Sequence, residues 1–163
     1  MKTLVVYSSQ TGNTKKLAET VADTLNGEVS VCHISKAPAP DGFDLVALGF
    51  WLQGGKPDPK STEYLAGIGT SRLFLFATHG AAADSAHAAG AMAQAKAMAP
   101  AAQILGTFNC PGAVNPAVLE KVRKKDPQPP WIGDAPAAVG HPDQADLARL
   151  KAALSAALPE FVS

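Results

Sequence analysis

The strongest constraint on this chain is an alternation that runs through most of its length. Short β-branched or aliphatic runs are each followed by a segment with apolar residues at helical spacing. Lys2–Tyr7 reads as a buried strand and Ser8–Asn13 as a polar turn. Lys15–Leu25 reads as a helix with Leu17, Val21, Thr24 and Leu25 on one face, and Gly27 stands in the place of a C-cap. Glu28–His33 alternates as a half-buried strand. After the Pro-containing stretch Ala37–Gly42, Leu45–Phe50 is a continuous apolar run of the kind found in central parallel strands. Pro59–Ile68 predicts a short helix and Arg72–Thr78 a fourth strand. An Ala-rich helix follows, capped by Asp84 or Ser85 and ended by Pro100, and Gln103–Phe108 is a fifth strand. Strands alternating with helices call for right-handed crossovers and a parallel sheet covered on both faces. The expected fold is therefore a doubly wound α/β domain with a five-stranded parallel sheet. Ligands of such sheets bind beyond the carboxyl ends of the strands, where strand order reverses.

Beyond Phe108 the pattern loosens. Residues 111–142 hold seven prolines, with a basic helical piece at Pro116–Lys125 and an irregular Pro-rich stretch near 126–142. A last helix is marked by Leu147, Leu150, Leu154, Leu158 and Phe161. No internal repeat and no linker divides the chain, so residues 1–163 are expected to form a single domain. A domain of that length buries roughly two-thirds of the surface of its unfolded chain and needs no metal or disulfide staple.

Charge narrows the function classes. Lys plus Arg number 14 and Asp plus Glu number 14, giving a formal net charge of zero. A protein held on nucleic acid by phosphate neutralisation shows a basic excess, so no nucleic-acid partner is expected. Cys32 and Cys110 lie far apart and form no CxxC pair, and His33 and His141 have no nearby carboxylate or cysteine pattern, so no metal site is expected. The apolar stretch before Ser8 is too short for a secretory signal. The Ala-rich stretch 81–102 is interrupted by Asp84, His87 and Lys96, which excludes a membrane span. A cytoplasmic protein with reduced thiols is the expectation. No Ser–His–Asp order or paired-carboxylate signature points to hydrolytic chemistry.

The segment that carries chemistry is Ser8-Ser9-Gln10-Thr11-Gly12-Asn13-Thr14, between the first strand and the first helix. A helix starting here leaves backbone N–H groups unpaired at the positive end of its dipole. Gly12 allows positive φ or close approach to an anion. Ser9, Thr11 and Thr14 add hydroxyls, and Gln10 and Asn13 add amides, which together make an uncharged nest for one phosphate group. GxxxxGK[ST] and GxGxxG are both absent, so the loop carries neither the nucleoside-triphosphate nor the dinucleotide fingerprint. Lys15 and Lys16 are expected to face solvent. The plainer reading of the same residues is a polar turn with Asn13 or Thr14 as an ordinary N-cap.

Ser9-x-Thr11-Gly12-x-Thr14 after an N-terminal strand resembles the phosphate loop of flavodoxins, which bind FMN. Gly49-Phe50-Trp51-Leu52-Gln53-Gly54-Gly55 follows the third strand and Thr78-His79-Gly80 the fourth, where flavodoxins carry their two flavin-flanking loops. With Thr107-Phe108-Asn109-Cys110-Pro111-Gly112, these loops are similar to those of a flavodoxin-like subfamily of short bacterial and archaeal proteins. The resemblance implies strand order 2-1-3-4-5 and FMN held by Ser9, Gln10, Thr11, Gly12, Asn13, Thr14, Phe50, Trp51, Leu52, Gln53, Gly54, Gly55, Thr78, His79 and Gly80. An aromatic at a loop tip stacks on a flat apolar ring. Alternation sends one of Phe50 and Trp51 to the core and the other to the cofactor, with Trp51 favoured for the latter. By position, Gly54 and Gly55 correspond to the flexible loop whose backbone answers the cofactor's redox state. His79 reads either as a contact of the flavin or as a surface-loop histidine.

The implied function is electron transfer between redox partner proteins. Flavodoxins are usually strongly acidic, which steers them to basic partners and lowers the cofactor's potential. This chain lacks that bias: Asp58 and Asp84 are the only acids near the presumed flavin loops, and Lys56 and Lys60 flank Asp58. The alternative is an FMN-dependent NAD(P)H:quinone or small-molecule reductase. A third class is a phosphate-ligand or docking module on the same fold. Lys121, Arg123, Lys124 and Lys125 read as a solvated helix end, or as a docking patch for an acidic redox partner with Trp131 in a lid or interface. Cys110 reads as a packed strand-end thiol and Cys32 as a core residue.

Overall fold

In the computed structural model, which describes residues 1–163, the apolar runs become the strands of one sheet. In chain order these are β1 (Lys2–Tyr7), β2 (Glu28–His33), β3 (Leu45–Gln53), a two-residue β4 (Lys56–Pro57), β5 (Arg72–His79) and β6 (Gln103–Pro111). The helices are α1 (Asn13–Thr24), α2 (Pro59–Ala66), α3 (Ala86–Ala97), α4 (Pro116–Arg123) and α5 (Gln144–Ala157). The five long strands are parallel and run β2-β1-β3-β5-β6, the expected doubly wound order. Its reversal falls at β1 and β3, whose carboxyl ends open between the two wings of the sheet.

Successive residues of a strand face opposite sides, and the two core layers follow from that alternation. Val5, Phe74 and Phe76 pack with Leu17, Val21, Leu150 and Leu154 under α1 and α5. Leu4, Val6, Leu48 and Phe50 pack with Leu65, Met92 and Ala95 under α2 and α3. Caps are local: Asp58, Ser85, Asn115 and Asp143 each accept a backbone N–H in the first turn of α2, α3, α4 and α5.

Several boundaries differ from the sequence expectation, β6 running on to Pro111 among them, and three of the differences change the packing. β3 continues past Phe50 to Gln53 and turns back through Gly54 and Gly55, at φ +61° and +75°, into β4. Two consecutive left-handed residues form the tight hairpin turn that only glycine-like pairs reach without strain, so the loop expected here is the turn of a short β-hairpin. α5 ends at Ala157 because Leu158 precedes a proline, which disfavours helical backbone. Phe161 is nonetheless fully buried, one turn beyond the helix, and its carbonyl accepts from the Asn26 N–H at 2.7 Å. Gly27, at φ +86°, lies two residues past the α1 cap at Leu25 and turns the chain into β2.

Candidate functional site

Beyond the carboxyl ends of β1, β3, β5 and β6 lies a cleft enclosing about 770 Å³, part of it open to solvent. Its first side is the β1–α1 loop. The Ser8 N–H bonds Gly49 O at 2.9 Å, and the Ser8 hydroxyl donates to Asp58 Oδ1 at 3.0 Å, so the loop begins at a fixed point. Gly12 takes the left-handed conformation, φ +92° and ψ −4°, and its N–H bonds the Ser9 hydroxyl at 3.1 Å. A side chain there would be strained whatever the space around it. Gly12 is also the N-cap of α1 and supplies no side-chain acceptor, so the first-turn N–H groups of α1 meet no capping side chain. Ser9, Gln10, Thr11, Asn13 and Thr14 line the cleft. The Thr14 hydroxyl is buried in a 2.9 Å hydrogen bond with that of Thr78, which ties the loop to β5.

The second side comes from β3. Trp51, Leu52, Gly54 and Gly55 line the cleft. Phe50 does not: it is fully buried in the layer under α2 and α3, because adjacent residues of a strand face opposite ways. Gln53 is exposed at the hairpin, paired with Lys56, and is also absent from the cleft wall. Trp51 Nε1 is buried and has no hydrogen-bond partner within the protein, a desolvation cost that the fold carries.

Thr78, His79 and Gly80 form the floor. His79 is only 7% exposed, so the surface-loop reading does not hold. Its Nε2 faces Asn109 Oδ1 at 2.8 Å and its Nδ1 faces Ala81 O at 3.1 Å. Burial pushes the imidazole below its ordinary pKa, and the bonds to Asn109 and Ala81 oppose that shift.

Gly112, Ala113, Val114, Asn115, Val118, His87 and Trp131 also line the cleft, and sequence reasoning did not assign them to it. The Gly112 segment continues a strand already identified, so its position was within reach. The return of Trp131 depends on tertiary contacts. No Asp, Glu, Lys or Arg lines the cleft; the only titratable side chains there are His79 and His87.

His141 departs from expectation, since its Nδ1 lies 2.5 Å from Asp146 Oδ2 and 3.7 Å from Asp143. The fully buried Asp146 carboxylate also takes the Asp143 N–H and the Arg149 guanidinium, so the cluster closes a capping box at the start of α5. Lys16 is exposed along its length, yet its ammonium bonds Pro142 O at 2.6 Å.

A family model described as Flavodoxin domain matches residues 4–155, and the chain belongs to that family. It is 32% identical over 129 residues to the flavodoxin-like domain-containing protein BilS of Clostridioides difficile (strain CD3), covering 76% of this chain and 73% of that protein. To BilS of Clostridium symbiosum (strain WAL-14163) it is 29% identical over 184 residues, covering 98% and 97%. Among solved structures, a short-chain flavodoxin associated with a non-canonical PDU bacterial microcompartment superposes with TM-score 0.63 at 14% identity, covering 98% of both chains. Azoreductase AzrA superposes with TM-score 0.61, also at 14% identity, covering 96% of this chain and 100% of that one. No helix is long and apolar enough to cross a membrane.

Proposed function

We propose that the chain binds FMN in this cleft and carries electrons between redox partner proteins. One observation carries the reading: an α-helix N-terminus with no capping side chain opens into a cleft lined by no carboxylate, lysine or arginine and walled by two indoles, through a loop of hydroxyls and amides turned by a left-handed glycine. Ser9, Gln10, Thr11 and Asn13 bind the phosphate through N–H and hydroxyl groups, and Gly12, whose own N–H is taken by the Ser9 hydroxyl, turns the loop. Thr14 holds the loop to β5 through Thr78. Trp51 and Leu52 cover the ring. Gly54, Gly55, Thr78, His79 and Gly80 complete the ring's surroundings. Bound FMN supplies reversible one-electron chemistry, and the protein sets its potential by holding one redox state more tightly. A tenfold difference in affinity is worth about 59 mV for a one-electron couple.

The absence of carboxylates from the cleft wall, with two imidazoles in their place, favours a second reading: an FMN-dependent reductase of quinones or other small acceptors that uses NAD(P)H directly. One preparation separates the two. A carrier shows the visible flavin band and oxidises NAD(P)H with a quinone only when a separate reductase is added. Rapid oxidation by the isolated protein establishes the reductase. A colourless protein that takes up no added FMN overturns both readings.

A further inference from the structure

Between the end of β6 at Pro111 and the start of α5 at Gln144 the chain makes an excursion that carries α4, and this segment is tied to the cleft at its root and its tip. At the root, the Ala113 N–H donates to His141 O at 3.0 Å, closing the excursion. Asn13 Nδ2, from the phosphate-binding loop, donates to Ala113 O at 3.0 Å. At the tip, Asp134 Oδ2 accepts the Ala82 N–H at 3.1 Å, and the Asp134 N–H bonds Trp131 O at 3.0 Å. These bonds hold a half-buried indole in the cleft wall.

The fit is close. A Cβ on Gly80 would stand 2.9 Å from Trp131 Cε3 and 2.7 Å from Val114 Cγ2, so only glycine at 80 lets both side chains approach the end of β5. An aromatic ring that merely filled surface would need neither the two-point tether nor the glycine beneath it.

We infer that Trp131 is a ligand-contacting residue and that Ala113–His141 is a strap holding its indole as an aromatic wall for the flavin ring. The inference rests on the FMN reading. Trp51 enters the cleft from β3, whereas Trp131 arrives from the strap packed over Gly80, so the two indoles reach it from different parts of the fold. The chain has no other tryptophan.

The test titrates FMN and riboflavin, followed by flavin fluorescence, into the flavin-free full chain and its variants. Trp131→Ala is expected to weaken both ligands about tenfold and leave their affinity ratio unchanged, because the lost contact is to the ring they share. Trp131→Phe should restore binding to within about threefold, since a ring remains. Gly80→Ala should weaken both ligands by displacing the indole. Val139→Ala, on the same strap but 73% exposed, should change neither. Trp131→Ala within twofold of the parent, or Trp131→Phe as impaired as Trp131→Ala, overturns the inference. If Trp131→Ala does not fold, Trp131→Phe and Gly80→Ala decide. A parent chain that binds no FMN removes the FMN reading itself, and the ring contact with it.

Discussion

The Asp58 carboxylate, 1% exposed, accepts the Ser8 hydroxyl at 3.0 Å across fifty residues of sequence. The same carboxylate caps α2 through the Ser61 N–H at 3.2 Å and takes the Ser61 hydroxyl at 2.8 Å. The Asp58 N–H bonds Trp51 O at 3.0 Å. One residue thus sets the start of the β1–α1 loop, the backbone of Trp51 and the start of a helix. A buried carboxyl group is tolerated there because its oxygens are satisfied by donors.

Asp58→Ala should therefore cost about 3 kcal/mol, from a lost cap and buried hydroxyls left unpaired. Urea denaturation checks this. Asp58→Asn, which keeps the acceptor oxygen, should cost clearly less, and equal losses in the two variants would show that the hydrogen bonds are not the cause.

Gly12→Val places a β-branched residue at φ +92°, with open space around its Cβ. Strain of about 2 kcal/mol should appear in the denaturation midpoint. FMN affinity should fall more than tenfold while riboflavin, which has no phosphate, is held nearly as well as by the parent. Equal loss of the two ligands would place the phosphate elsewhere.

His79 should make stability depend on pH. Burial lowers its folded-state pKa below the ordinary 6.5, so the unfolded chain binds the proton more readily. Its contribution is complete above about pH 6.5 and is lost as pH falls toward the lower folded value. His79→Gln should flatten that acid limb in denaturation curves collected between pH 5 and 8. An unchanged slope would assign the limb to other groups.

Thiol reactivity should divide the two cysteines. Burial, with a smaller contribution from Asp146, pushes the Cys110 thiol up to about 12, and Cys110 is fully buried at the end of β6. Cys32 is half-buried, with its pKa raised by burial alone. At pH 8 an aromatic disulfide reagent should titrate Cys32, and reach Cys110 only in denaturant. Fast modification of both thiols in the native protein would contradict this packing.

Much of the architecture was readable along the chain because its signals are local. Glu28–His33 alternates and becomes β2 with those bounds; Leu45–Phe50 is apolar throughout because β3 is covered on both faces. The Phe50–Trp51 division followed from strand alternation alone. The Gly54–Gly55 hairpin was missed because a glycine pair permits both a loop and a tight turn, and only the pairing of Gln53 with Lys56 distinguishes them.

The order of apolar runs and the composition of one turn determined the parallel sheet and the left-handed turn of the β1–α1 loop, since periodicity and glycine conformation act within a few residues. Tertiary structure alone decided that Asp58 is a buried anchor for Ser8 and that Trp131 returns to Gly80. Each of those contacts joins groups whose individual residues look like ordinary surface or cap residues. Their energies exist only once the sheet has brought distant segments together and removed water from between them.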